Sequence, residues 1–267
     1  MKKILLSIAL CASVMAANAS FQLCGVYLGE DANSSSILAQ LNEIEGVEAT
    51  GTITYTAATD ILTLENVTIT DAASSDRLLV VYPGSNSTIR LIGTNVIKST
   101  KDAYLNGVEV RCNPTDTLHI TGEGSLEISV VKWIPFSMQG GCVSIDSTTV
   151  KATSEQMYYG FSYTSAQGSL VVNKSTLTTC NINTLKAIEL NDCEIVQPVG
   201  AEVVLDSSYY VDKKGSKDVD IVIKPIGVST AIDNTIVCEK ATKRIVSGQF
   251  VIEKNGKFYN ATGVEVK

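Results

Sequence analysis

Three aromatic residues share one offset in a repeating frame: Tyr104, Trp133 and Tyr158 each lie fifteen residues after an apolar start at 89, 118 or 143. Phe136 and Phe161 lie eighteen after the last two of those starts. The offsets differ in parity, so along an unbroken strand they aim at opposite faces. Phenylalanine has no polar handle and suits an interior, whereas tyrosine and tryptophan carry amphipathic rings that suit a surface. The expectation is an external flat strip of Tyr104, Trp133 and Tyr158, with Tyr159 beside it, on which sugar rings stack. The competing reading is an ordinary ladder of core rings.

Other chemistry has less behind it. The single histidine, His119, sits between Leu118 and Ile120 and is expected to point outward from a strand. One histidine without a second supports neither a Ser-His-Asp arrangement nor a histidine metal centre. Asp60, Asp71, Asp76, Asp102 and Asp116 fall at different offsets, and Asp146 and Asp192 lie at corners without partners in neighbouring copies. They read as solvated turn carboxylates rather than a calcium or acid/base cluster. The glycines at 122 and 124 precede no helix, so they form no phosphate loop. No catalytic residue, metal site or cofactor is expected, and nothing beyond a mildly acidic surface speaks for calcium.

These residues are positioned by a pattern that recurs six times: LTLENVTI (62–69), IRLIGTNV (89–96), LHITGEGSL (118–126), VSIDSTTV (143–150), LVVNKSTL (170–177) and IELNDCEI (188–195). Each copy is apolar at its start and two residues on, which is strand alternation. A turn residue follows four after the start: Asn66, Gly93, Gly122, Ser147, Lys174 and Asp192. The apolar pattern then resumes at Ile69, Val96, Leu126, Val150, Leu177 and Ile195. The steps between starts leave room for three short strands and no ordinary helix, given a rise of about 3.3 Å per residue. The chain is therefore expected to be all-β, a right-handed parallel β-helix or solenoid. A β-sandwich is the rival, although its strands would not repeat the same offsets.

The chain has 267 residues, 45% hydrophobic and only 18% charged, enough for one elongated core. The formal charge of −7 and the absence of a basic run make nucleic acid and anionic membranes poor partners. Residues 1–19 read as a signal peptide: Lys2 and Lys3, an apolar stretch, then Ala17-Asn18-Ala19. No later stretch has the roughly 20 apolar residues of a membrane span. The expected location is outside the cell or on its surface. Six cysteines follow the leader, and an exported chain permits disulfides. Cys112 with Cys142, about one coil apart, and Cys180 with Cys193 are the local candidates. The alternative is that all six are small buried hydrophobes.

Residues 20–227 are expected to form the β-helix domain. Asn33 or Ser34 would cap a short helix that puts Ile37, Leu38, Leu41 and Ile44 over the open end of the stack. Val203 and Leu205 suggest a worn seventh copy, and Val219, Ile221 and Ile223 one more strand. The opening unit GTITYTAATDILTLENVTIT (51–70) resembles that of secreted bacterial β-helix proteins of the carbohydrate-binding-domain type. The tail at 228–267, with Gly248-Gln249, an apolar strand, Asn255-Gly256, Tyr259-Asn260, Gly263 and Lys267, resembles the C-terminal sorting segment of type IX secretion cargo, and physically it reads as a β-hairpin. The first resemblance implies a non-catalytic protein whose partner is a polysaccharide or surface glycan. The second implies a partner in the secretion machinery. A structural or adhesive surface protein with a protein partner stays open, and so does a polysaccharide lyase or glycoside hydrolase.

Overall fold

The computed structural model describes residues 20–227, apart from 30–32, 73–76, 84–85, 157–159, 164–167, 184–185, 205–209 and 213–219, together with four strands between 242 and 266. Residues 1–19, expected to be a leader, lie outside the described residues. So do Asp76, Tyr158, Tyr159, Leu205, Val219, Cys238 and the tail positions 248, 255, 256, 260, 263 and 267.

The repeats stack as a parallel β-solenoid of about four turns. One face holds the parallel strands Arg77–Val81, Asn106–Val110, Phe136–Met138, Phe161–Tyr163 and Ile182–Asn183. A second face holds the first half of Ile61–Asp71, then Asn86–Ile92, Thr117–Thr121, Cys142–Asp146, Ser169–Asn173 and Ala187–Asn191. The second half of Ile61–Asp71 starts a third face, followed by Thr94–Ser99, Ser125–Val130, Thr149–Ser154 and Thr176–Thr179.

Between the second and third faces the chain bends at one residue per coil, and that residue is left-handed each time. The φ angles are +50° at Asn66, +65° at Gly93, +122° at Gly122, +52° at Ser147, +47° at Lys174 and +52° at Asp192. These are the six turn residues expected from the repeat. Asn, Asp and Gly tolerate this region, whereas Ser and Lys carry strain there.

Inward-facing side chains form columns along the axis. Leu62, Ile89, Ile120, Ile145, Val172 and Leu190 pair in that order on the second face. On the first face Val108 pairs with Phe136 and Phe136 with Phe161, whose rings stack at 4.3 Å and 14° in a fully buried ladder. Burying each such side chain contributes about 1.5–3 kcal/mol.

Four details depart from the repeat as read. Ile89 pairs with Ile120, not Leu118, because the third coil has two extra residues at this step; Ser87 faces Leu118 instead. Val96 faces outward, and Asn95 takes the inward corner position, fully buried. Its Oδ1 accepts from Val67 N–H at 2.9 Å, and its amide donates to the carbonyls of Ile92 and Ser125 at 3.2 and 3.1 Å, so it ties three successive coils together. Ile195 does not continue the parallel stack: the antiparallel strand Ile221–Pro225 lies between Thr176–Thr179 and Cys193–Gln197. Glu202–Val204 pairs antiparallel with Tyr210–Asp212 and not with the sixth copy.

At the other end, Val47–Thr56 runs antiparallel along Ile61–Asp71 and follows its corner through a bulge at Gly51. The helix Ser34–Asn42 is capped by Asn33, whose side chain accepts from Ser36 N–H, and buries Ile37 and Leu41 in the core. The chain divides after Ile226. The second unit is a four-stranded antiparallel sheet, Thr242–Val246, Gln249–Lys254, Lys257–Tyr259 and Glu265–Val266, two strands more than the expected hairpin. Among the described residues no helix is long and apolar enough to cross a membrane.

Candidate functional site

Turns at 100–105 and 131–135 lead from the third face toward the first, and residues 155–156 leave the third face in the next coil. They stack because the strands feeding them are in register, Thr94–Ser99 beside Ser125–Val130 beside Thr149–Ser154. Backbone contacts continue the stacking: Tyr104 bridges Lys132 in parallel, and the N–H groups of Glu155 and Gln156 donate to Val130 and Val131 at 3.1 and 3.0 Å.

This register brings Tyr104 and Trp133 together. Their ring centroids are 5.5 Å apart with planes at 82°, an edge-to-face pair. The two residues are 69% and 38% exposed, among the most exposed large apolar side chains described. Trp133 has φ +83°. A bulky residue in that region costs about 1–3 kcal/mol, and such strain concentrates at functional positions.

Polar groups rim the rings. Lys132 Nζ lies 2.6 Å from Asp102 Oδ1 and 5.8 Å from the Tyr104 ring centroid. The hydrogen bond to Asp102 raises the Lys132 ammonium above its ordinary value. Gln156 Nε2 donates to the same Asp102 oxygen at 3.4 Å. The arrangement can hold C–H groups against an aromatic face and bond hydroxyls at its edge.

Two of the four expected ring residues are thus placed together on the outside. They form a right-angled corner, not the flat strip expected, because Tyr104 faces Lys132 across the coils and Trp133 follows one residue later in a left-handed turn. Tyr158 and Tyr159 lie outside the described residues.

The cysteines expected to pair are thiols. Cys112 Sγ donates to the Gly140 carbonyl at 2.7 Å, while Cys142 lies beside Ser169 in the next coil. Cys180 Sγ meets Ser154 N–H at 3.4 Å, and Cys193 points into the corner, where Ser175 N–H meets its Sγ at 3.4 Å. Cys180 and Cys193 therefore belong to different columns. Burial pushes the Cys112 thiol up to about 11 and Cys24 up to about 12.

The second face carries a polar cluster that the repeat alone did not reveal. His119 faces outward as expected, but its Nδ1 is 3.2 Å from Asp146 Oδ2, and Asp146 Oδ1 accepts from Ser144 Oγ at 3.0 Å and Asn173 Nδ2 at 3.3 Å. Asp146 is therefore joined across coils on both sides, where the sequence reading had it unpaired. The pairing Ser144↔His119 and Asp146↔Asn173 would have disclosed it. Asp71 and Asp116 are buried rather than solvated, and Asp116 accepts from the Asn113 backbone and side chain at 3.0 and 2.8 Å. On the first face, buried Glu109 pairs with Arg77 and Arg111, a structural ion-pair group that raises the Arg111 guanidinium. Among the described residues no three His, Cys, Asp or Glu side chains are arranged to hold a metal.

Comparison with known proteins gives no match to a family model, a curated protein or a solved structure.

Proposed function

We propose that this chain is a non-catalytic glycan-binding solenoid, and that Tyr104 and Trp133 are the residues that bind. The observation that carries this reading is the exposed ring pair on stacked turns, with Asp102, Lys132 and Gln156 at its rim. Sugar rings present C–H faces to aromatic rings and hydroxyls to carboxylates and amides, and this corner supplies both kinds of contact. Trp133 adds a strained backbone at an exposed place, where packing alone gives no reason for it. The leader at 1–19 and the sorting-like tail at 228–267 fit a protein that works outside the cell or on its surface, delivered by a type IX route.

An acid/base reading of the second face has less support. Both oxygens of Asp146 are engaged by His119, Ser144 and Asn173, and the cluster lies on the open face of a sheet rather than in a cleft.

A glycan array probed with the mature chain and with Trp133→Ala tests the proposal. Retention on one or more glycans that is lost in the variant supports it. Equal retention by both proteins removes the ring pair from the account, and retention only of a protein partner favours the adhesive reading.

A further inference from the structure

We infer that the Tyr104–Trp133 corner takes the end, or a bend, of a single soluble chain of neutral sugars, and neither a flat crystalline polysaccharide nor a polyuronate. This rests on the glycan-binding reading above and specifies its ligand.

Geometry carries the first half. Two rings at 82° share no plane. A flat ribbon of sugars lying on a crystal surface needs rings side by side in one plane, so that several residues stack at once. A perpendicular pair admits one sugar ring against one aromatic face and forces the next residue to turn away. A chain end, a branch or a twisted single chain meets that demand. The turns at 100–105 and 131–135 lie one coil step apart, about 5 Å at the usual strand spacing, which suits a short stretch of chain.

Charge carries the second half. Among the described residues the Lys132 ammonium lies over the Tyr104 ring, and Asp102 already offsets it at 2.6 Å. Among the described residues Lys132 and Gln156 both bind Asp102 through Oδ1, which leaves Oδ2 of this exposed carboxylate as an acceptor for a ligand hydroxyl. A sugar carboxylate would have to displace Asp102 from Lys132 while approaching a chain of formal charge −7. A neutral diol meets no such opposition.

The test uses the mature full chain, with laminarihexaose, xylohexaose, mannohexaose and cellotetraose as neutral soluble probes, hexagalacturonate as the acidic probe and microcrystalline cellulose as the flat solid. Binding to soluble probes is read by calorimetry and to the solid by sedimentation. At least one neutral oligosaccharide is expected to bind, Trp133→Ala to weaken it about tenfold, the worth of one aromatic contact, and Trp133→Phe to retain part of it. Asp102→Asn is expected to weaken it less, because the amide keeps an acceptor. Circular dichroism of each variant confirms the fold. Tighter binding of hexagalacturonate, or Trp133-dependent retention on the cellulose, overturns this inference and leaves the glycan-binding reading standing. Binding to no probe, or binding that Trp133→Ala leaves unchanged, overturns both.

Discussion

The bend between the second and third faces rests on single left-handed residues, and their identities predict how they respond to substitution. Lys174 and Ser147 sit at φ +47° and +52° with a Cβ that disfavours this region. Lys174→Gly and Ser147→Gly are each expected to raise the urea midpoint, with a gain of about 1 kcal/mol after the added flexibility of the unfolded chain is counted. Asn95 responds in the opposite direction. Asn95→Leu leaves the Val67 N–H without its buried partner and should cost about 2 kcal/mol in the same measurement. The thiols give a third expectation: with Cys24 pushed up to about 12 and Cys112 to about 11, little thiolate exists at pH 8, so iodoacetamide should label them only after denaturation. The corner residues were legible in the sequence because turn chemistry is local. Asn95 was not, since Val96 beside it satisfied the apolar pattern while the backbone placed the amide inward. The His119–Asp146 contact was equally hidden, because it depends on which coil residue lies opposite which.

Strands and their stacking were legible wherever side chains alternate. Leu62 lies beside Ile89, Ile145 lies beside Val172 and Leu190, and Phe136 lies on Phe161, as their equal offsets implied. The register failed at one step, from Ile89 to the third coil, because the extra residues precede the strand and leave its pattern intact. The last coil misled for a different reason: Cys193–Gln197 alternates like its predecessors, yet it pairs with Ile221–Pro225, a strand distant in sequence. Periodicity reports a face, not a neighbour. The Phe ladder gives a test at this scale. Phe136→Ala empties a fully buried site between Val108 and Phe161 and is expected to cost about 3–5 kcal/mol in denaturant unfolding.

For the molecule as a whole, the solenoid does two things: it closes its N-terminal end with the helix Ser34–Asn42 and the strand Val47–Thr56, and it aligns turns from successive coils so that residues nearly thirty apart in sequence share one surface. Removing residues 20–56 would uncover the edge of Ile61–Asp71, and such a variant is expected to associate, as light scattering would detect. The ring corner follows from the second property, and its two members were found in the sequence because equal offsets become adjacency when coils stack. Their perpendicular setting was not readable, because it depends on the backbone angle at Trp133. That residue is the chain's only tryptophan, so its fluorescence reports directly on the proposed site. Titration of residues 20–267 with a soluble neutral oligosaccharide such as laminarihexaose or xylohexaose is expected to shift the Trp133 emission in a saturable way. If a glycan binds by calorimetry while that emission stays unchanged throughout, the ring corner is not where it binds and the account is contradicted.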